Sequence, residues 1–172
     1  MHLRQILQFI RNTMKQIFML LGLAVVVSCQ DKEIASQDFI KTELSVIEET
    51  IHASIGWAKN KDFNLLYSVI ANDSGYLEVS PKGRITRGFT QFKKNETFWG
   101  NPDFKAKGYE IRDLVINLSE KGNVAWFFCV LDDMNEWKGE PANWMNTLWT
   151  GVLEKRKGKW LIVQMHFSFP EE

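Results

Sequence analysis

The sequence predicts an α+β domain in which three N-terminal helices pack on a strongly curved antiparallel sheet. Three observations lead there. Apolar residues recur at helical spacing between residues 40 and 70, the period falls to two after residue 75, and glycine-centred turns then separate long alternating segments.

The elements follow in order. Gln30 to about Asp38 is polar and is expected to be a tether. Ile40, Leu44, Ile47, Ile51, Ile55 and Ala58 form one apolar helical face, and Lys59-Asn60-Lys61 ends that helix. Asp62 can cap a second helix whose Phe63, Leu66 and Ile70 face the core. Asn72-Asp73-Ser74-Gly75 is a turn, 76–80 a short strand, and 85–87 a strand pairing back across Pro81-Lys82-Gly83. Gly88 opens a third helix carrying Phe89 and Phe92 as far as Phe98-Trp99, where Gly100-Asn101-Pro102 breaks it. Four long strands are expected at 105–118, 123–137, 143–156 and 159–169. Glu120-Lys121-Gly122-Asn123 and Arg156-Lys157-Gly158-Lys159 are hairpin signals, and 138–142 is a longer connection.

Ahead of the domain the chain has a different character. Residues 1–28 hold Arg4, Arg11 and Lys15 and no acid, and 17–27 is an unbroken apolar run with one glycine. Eleven residues span only ~16 Å as a helix, too short for a bilayer core but suited to a signal peptide. Val26-Val27-Ser28-Cys29 resembles the lipobox of bacterial lipoproteins, which implies cleavage before Cys29 and lipid on its sulfur. The expected divisions are therefore a signal at 1–28, a tether at 29–38 and one domain at 39–172. Met14-Lys15 would itself be an ordinary beginning for such a signal. Gln30 follows the cysteine where an aspartate would favour inner-membrane retention, so an outer-membrane or periplasmic-face location is expected.

Three of the 21 basic residues lie in that leader, leaving 18 against 21 acidic ones, a net charge of −3. A mildly acidic domain offers no surface for nucleic acid. Cys129, the only other cysteine, sits in an apolar strand and is expected to be a small buried hydrophobe without a disulfide partner.

Trp149-Thr150-Gly151-Val152-Leu153-Glu154-Lys155, Gly158-Lys159-Trp160 and Val163-Gln164-Met165-His166-Phe167-Ser168 resemble the SnoaL-like branch of the nuclear-transport-factor-2-like superfamily. The last strand is also similar to that of the association domain of calcium/calmodulin-dependent kinases. The likeness spans about Glu43 to Phe169. It implies a cone, with three helices against a bent sheet and a pocket between, in a superfamily of cyclases, isomerases, dehydratases and non-catalytic binding or assembly domains.

Alternation sorts the strand residues by face. Leu161, Val163, Met165, Phe167 and Phe169 share an apolar face expected to meet the helices, leaving Trp160, Ile162, Gln164, His166 and Ser168 outside. Val124, Trp126, Phe128, Val130 and Asp132 align on one strand, and Trp149, Gly151 and Leu153 on the next. Set on the implied cone, Trp126, Phe128, Trp149 and Phe167 are expected to line a pocket, joined by Tyr76 and Trp99. Seven tryptophans favour a flat or apolar ligand, the alternative being that these rings fill the core.

Asp132 ends the Trp126 row, with Asp133 following on the opposite face, and Asp113 and Glu78 are the other acids in strand patterns. A carboxylate at an apolar mouth would be raised by desolvation and could act as a general base, as the resemblance implies for the superfamily's enzymes. A solvated rim position is the alternative. His166 is the third catalytic candidate, although alternation groups it with Gln164 and Ser168 in a row suited to a dimer interface. No metal-ligand spacing, phosphate loop or nucleophile elbow is present, and no cofactor is expected.

The expectation is a lipid-anchored envelope domain that forms a homodimer and binds a small apolar molecule or an envelope protein without catalysis. The alternative is a small enzyme (cyclase, isomerase or dehydratase) using a pocket acid.

Overall fold

The computed structural model describes residues 37–171. The chain divides between residues 42 and 43, and the described residues from Glu43 onward form one compact unit. The signal segment, Cys29 and most of the expected tether lie outside the described residues, and residues 37 and 38 are already helical.

Helix α1 covers 37–56. In the unit from Glu43 onward Ile47 and Ile51 are wholly buried, and Leu44 and Ile55 half-buried, as the spacing predicts. The helix tightens into a 3-10 turn at Trp57–Asn60, where the Trp57 indole N–H donates to Ser54 O at 3.0 Å. Helix α2 follows at Phe63–Val69, and the Asp62 carboxylate accepts from Leu65 N at 3.0 Å as its cap.

The predicted third helix is two short ones, α3 (Phe89–Lys93) and α4 (Glu96–Trp99). Three-residue hydrogen bonds, Lys94 N to Gln91 O and Asn95 N to Phe92 O, tighten the chain between them. Phe92 and Trp99 nevertheless meet in the interior, ring centroids 5.3 Å apart.

The strands are β1 (Leu77–Ser80), β2 (Arg84–Arg87), β3 (Phe104–Leu118), β4 (Val124–Trp137), β5 (Glu140–Pro141), β6 (Trp144–Arg156) and β7 (Lys159–Ser168). The order across the sheet is β2-β1-β7-β6-β4-β3, with β5 added to β4. The sheet is mixed, because β1 runs parallel to β7 while the other pairs are antiparallel. A parallel pair needs a long crossover, and everything between β1 and β7 supplies it.

The ladders shift register at Ala106/Gly108 and Arg112/Val115 between β3 and β4, at Leu131/Asp133 between β4 and β6, and at Val152/Leu153 between β6 and β7. Such bulges bend a strand and add twist. Asp113 and Asn146, both with positive φ, lie at two of them. The last shift leaves Val163 without an opposite residue, so the faces change over within β7. Trp160 and Ile162 are therefore buried beside Met165 and Phe167, and Leu161 and Val163 lose the full burial that unbroken alternation predicts.

The interior is largely filled by its own aromatics. Trp149, with no exposed surface, stacks on Phe167 at 5.3 Å and meets Phe127 edge-on at 5.0 Å. Tyr76, Phe92, Trp99 and Trp57 continue the cluster.

Candidate functional site

Four of the residues expected to line a pocket do lie inside. Trp149, Phe167 and Tyr76 are buried, and Trp99 packs half-buried against the core. Trp126 and Phe128 do not join them. Cys129 pairs with Trp149, which pairs with Phe167, so these three share the inner face. Trp126 pairs with Val152 and Phe128 with Thr150, on the outer face, where they are 47% and 38% exposed. The inner row of β4 is instead Ala125, Phe127, Cys129 and Leu131. Both rows are apolar, and the 138–143 connection is too long to fix the register of β6 on β4, so alternation alone could not choose between them.

The three catalytic candidates are occupied or outward. Asp132 accepts from Asn146 N at 2.6 Å and from the Arg112 guanidinium at 2.9 Å, holding the β6 bulge at Asn146. Asp113 is exposed at the β3 bulge. His166 is exposed on the outer face, in register with Thr150 and Val79. Glu78 is buried but bonded by the Ser80 hydroxyl at 2.9 Å and the Tyr76 hydroxyl at 3.2 Å.

A different row carries the polar chemistry of the inner face. Tyr109 of β3, Asp133 of β4 and Trp144 of β6 are paired in register, so one face presents a phenol, a carboxylate and an indole side by side. Asp133 continues the inner row of Phe127, Cys129 and Leu131 by unbroken alternation, so the exchange of rows that turns Trp126 outward turns Asp133 inward. Tyr109 hydrogen-bonds His52 Nδ1 of α1 at 3.0 Å, and Gly56 leaves room for its ring, since a Cβ there would stand 3.3 Å from it. Trp144 packs edge-on against Phe167 and Phe169, each at 5.9 Å.

All three residues of the row are half-buried. Burial raises the Asp133 carboxyl above its ordinary 3.8, opposed by the neighbouring Asn135 amide, and burial also raises the Tyr109 phenol. Asn135 Oδ1, Thr147 Oγ1 and Trp149 Nε1 are buried without a hydrogen-bond partner. The row can donate and accept protons at one polar end of an apolar interior. Among the described residues no group of three His, Cys, Asp or Glu side chains is arranged to hold a metal.

The sequence signals that could have found this row are slight. Asp133 breaks an apolar strand, and Gly56 interrupts a helix opposite an aromatic, but neither names its partner.

The family model of the SnoaL-like domain matches residues 47–172. The chain belongs to the SnoaL-like family. A search of curated protein sequences finds no match. Among solved structures, this SnoaL-like domain is similar to a nuclear transport factor 2-like superfamily protein from Salmonella enterica, at 20% identity, TM-score 0.66, covering 77% of this chain and 94% of that one. It is similar to a candidate dehydratase of the same family from Streptomyces avermitilis, at 14% identity, TM-score 0.64, covering 77% and 99%. A candidate calcium/calmodulin-dependent kinase II association domain from Exiguobacterium sibiricum gives 8% identity, TM-score 0.59, covering 74% and 92%. At these identities the SnoaL-like domain shares their fold, and its activity has to be argued from its own residues.

Proposed function

We propose that this domain binds a small, largely apolar molecule against the Tyr109–Asp133–Trp144 row and performs no chemistry on it. One observation carries the reading: the inner face is otherwise filled by its own rings, yet it ends in a half-buried acid set between two aromatics. Apolar probes should quench or shift tryptophan fluorescence of the full chain, and Trp144→Ala should weaken that response at least several-fold while leaving the fold intact. A saturable response that Trp144→Ala leaves unchanged refutes the assignment.

A second reading is favoured by the half-buried Asp133, whose raised carboxyl suits acid–base work on a cyclase, isomerase or dehydratase substrate. Under it, Asp133→Asn abolishes turnover and leaves affinity nearly unchanged.

We place the domain in the cell envelope, held by lipid on Cys29, on the strength of the sequence 17–29. A palmitate analogue should label the wild type and not Cys29→Ala. The outer face, where Val115, Trp126 and Phe128 are exposed together, is our choice for a second copy. Sedimentation should give a dimer that Trp126→Lys converts to a monomer. A wild-type monomer refutes it.

A further inference from the structure

Asp133 differs from the other carboxylates of its kind. Among the described residues, each of the other buried or half-buried acids has a partner. Glu43 has Lys155, Asp132 has Arg112, Glu136 has Lys105 and Lys107, and Glu154 has Arg156. Glu78 and Glu96 are bonded by tyrosine or serine hydroxyls. The Asp133 side chain has only the amide of Asn135 beside it, with no lysine, arginine or hydroxyl.

A second observation points the same way. Asn135, two residues on along the same strand, is 7% exposed, and its Oδ1 has no donor. Its amide is held in this sense by the bond from Nδ2 to the Asp133 carbonyl at 3.4 Å, because the flipped amide would set oxygen against oxygen. The strand therefore offers Asn135 Oδ1 with no donor and the Asp133 carboxylate with one neutral amide and no counter-charge, and an unmet buried acceptor is costly. Tyr109 and Trp144 flank the carboxylate in register, and aromatic rings attract a cation.

We infer that the molecule held by this row presents a protonated amine, its ammonium N–H groups donating to Asp133 and Asn135 between the Tyr109 and Trp144 rings. The inference rests on the binding reading proposed above and gives that ligand its polar end. An ammonium supplies both what the acceptors lack, donors, and what the carboxylate lacks, a counter-charge. A carboxylate or phosphate ligand would meet like charge here and is disfavoured.

The test is calorimetric titration of the full-length chain with 2-phenylethylammonium, and with 2-phenylethanol and phenylacetate, which keep the ring and change only the charge. The ammonium compound should bind at least ~10-fold more tightly than the alcohol, and phenylacetate more weakly than both. Asp133→Asn should bring the ammonium compound down to the alcohol's affinity, and circular dichroism should show that the variant folds. Asn135→Leu should weaken the ammonium compound several-fold. If the alcohol binds as tightly as the ammonium, or Asp133→Asn leaves the ammonium unaffected, the amine assignment falls and the binding site stands. If none of the three binds, both fall.

Discussion

The ring of Phe127 occupies the space a side chain at Gly151 would need. A Cβ at residue 151 would stand 2.4 Å from Phe127 Cε1 and 2.9 Å from Gln164 O. The two residues are paired across β4 and β6, and the close approach lets Phe127 reach Trp149 edge-on. Gly151→Ala must push the ring or the backbone aside, and the expected cost is roughly 3 kcal/mol. Chemical denaturation checks it, and a change under half a kcal/mol would show that the ring has another place to go.

Glu43 ties α1 to the β6–β7 hairpin. Its carboxylate accepts from Lys155 Nζ at 2.5 Å and from the Trp160 indole at 2.6 Å. The Lys155 bond, with Trp160 and the lysine charge, holds its carboxyl below the ordinary 4.5 against the pull of burial. A depressed acid adds stability above its unfolded value, and that stability is lost as pH falls through the folded one. Glu43→Gln should therefore cost about 1 kcal/mol at pH 7, with the gap to wild type closing below pH 4.5. Melting curves across pH would detect a gap that fails to close.

Asp133 should behave in the opposite sense. Burial raises its carboxyl, so the folded chain holds the proton more tightly than the unfolded one and stability falls as pH rises from 3.8. Asp133→Asn removes that penalty. The variant should melt higher than wild type at pH 8 and equally at pH 3. A variant that melts lower at pH 8 would mean that the carboxylate has a stabilising partner.

Cys129 is wholly buried, and burial pushes its thiol up to about 12. In a Cys29→Ser background it should resist a disulfide reagent in native buffer and react fully in denaturant. Rapid labelling of the native chain would require β4 to open readily.

How far the sequence carries depends on what each signal measures. Helical spacing located Ile47 and Ile51, and the Asp62 cap is where the acid before Phe63 puts it, because both are local effects. The Lys157-Gly158 turn sets Arg156 opposite Lys159, a register that alone would put Trp149 opposite His166, and the unmatched Val163 brings Phe167 there instead. Beyond that, faces are decided by register. The two apolar rows of β4 look alike, so one wrong choice puts Trp126 inside and Asp133 outside together, while the bulges of β3 and β6 that set Tyr109 and Trp144 opposite Asp133 leave no mark in composition. The pairing of His52 with Tyr109 joins residues from α1 and β3 that no local pattern connects.

Val163, the unmatched residue of β7, carries a consequence for chain length. Without it, Trp160, Ile162, Met165 and Phe167 would alternate perfectly with Leu161, Gln164 and His166, and each would keep its present side. A one-residue deletion there should preserve who faces whom and flatten the arc of the strands. Shape and composition of the interior would thus come apart, giving a protein with the same inward side chains around a differently sized space.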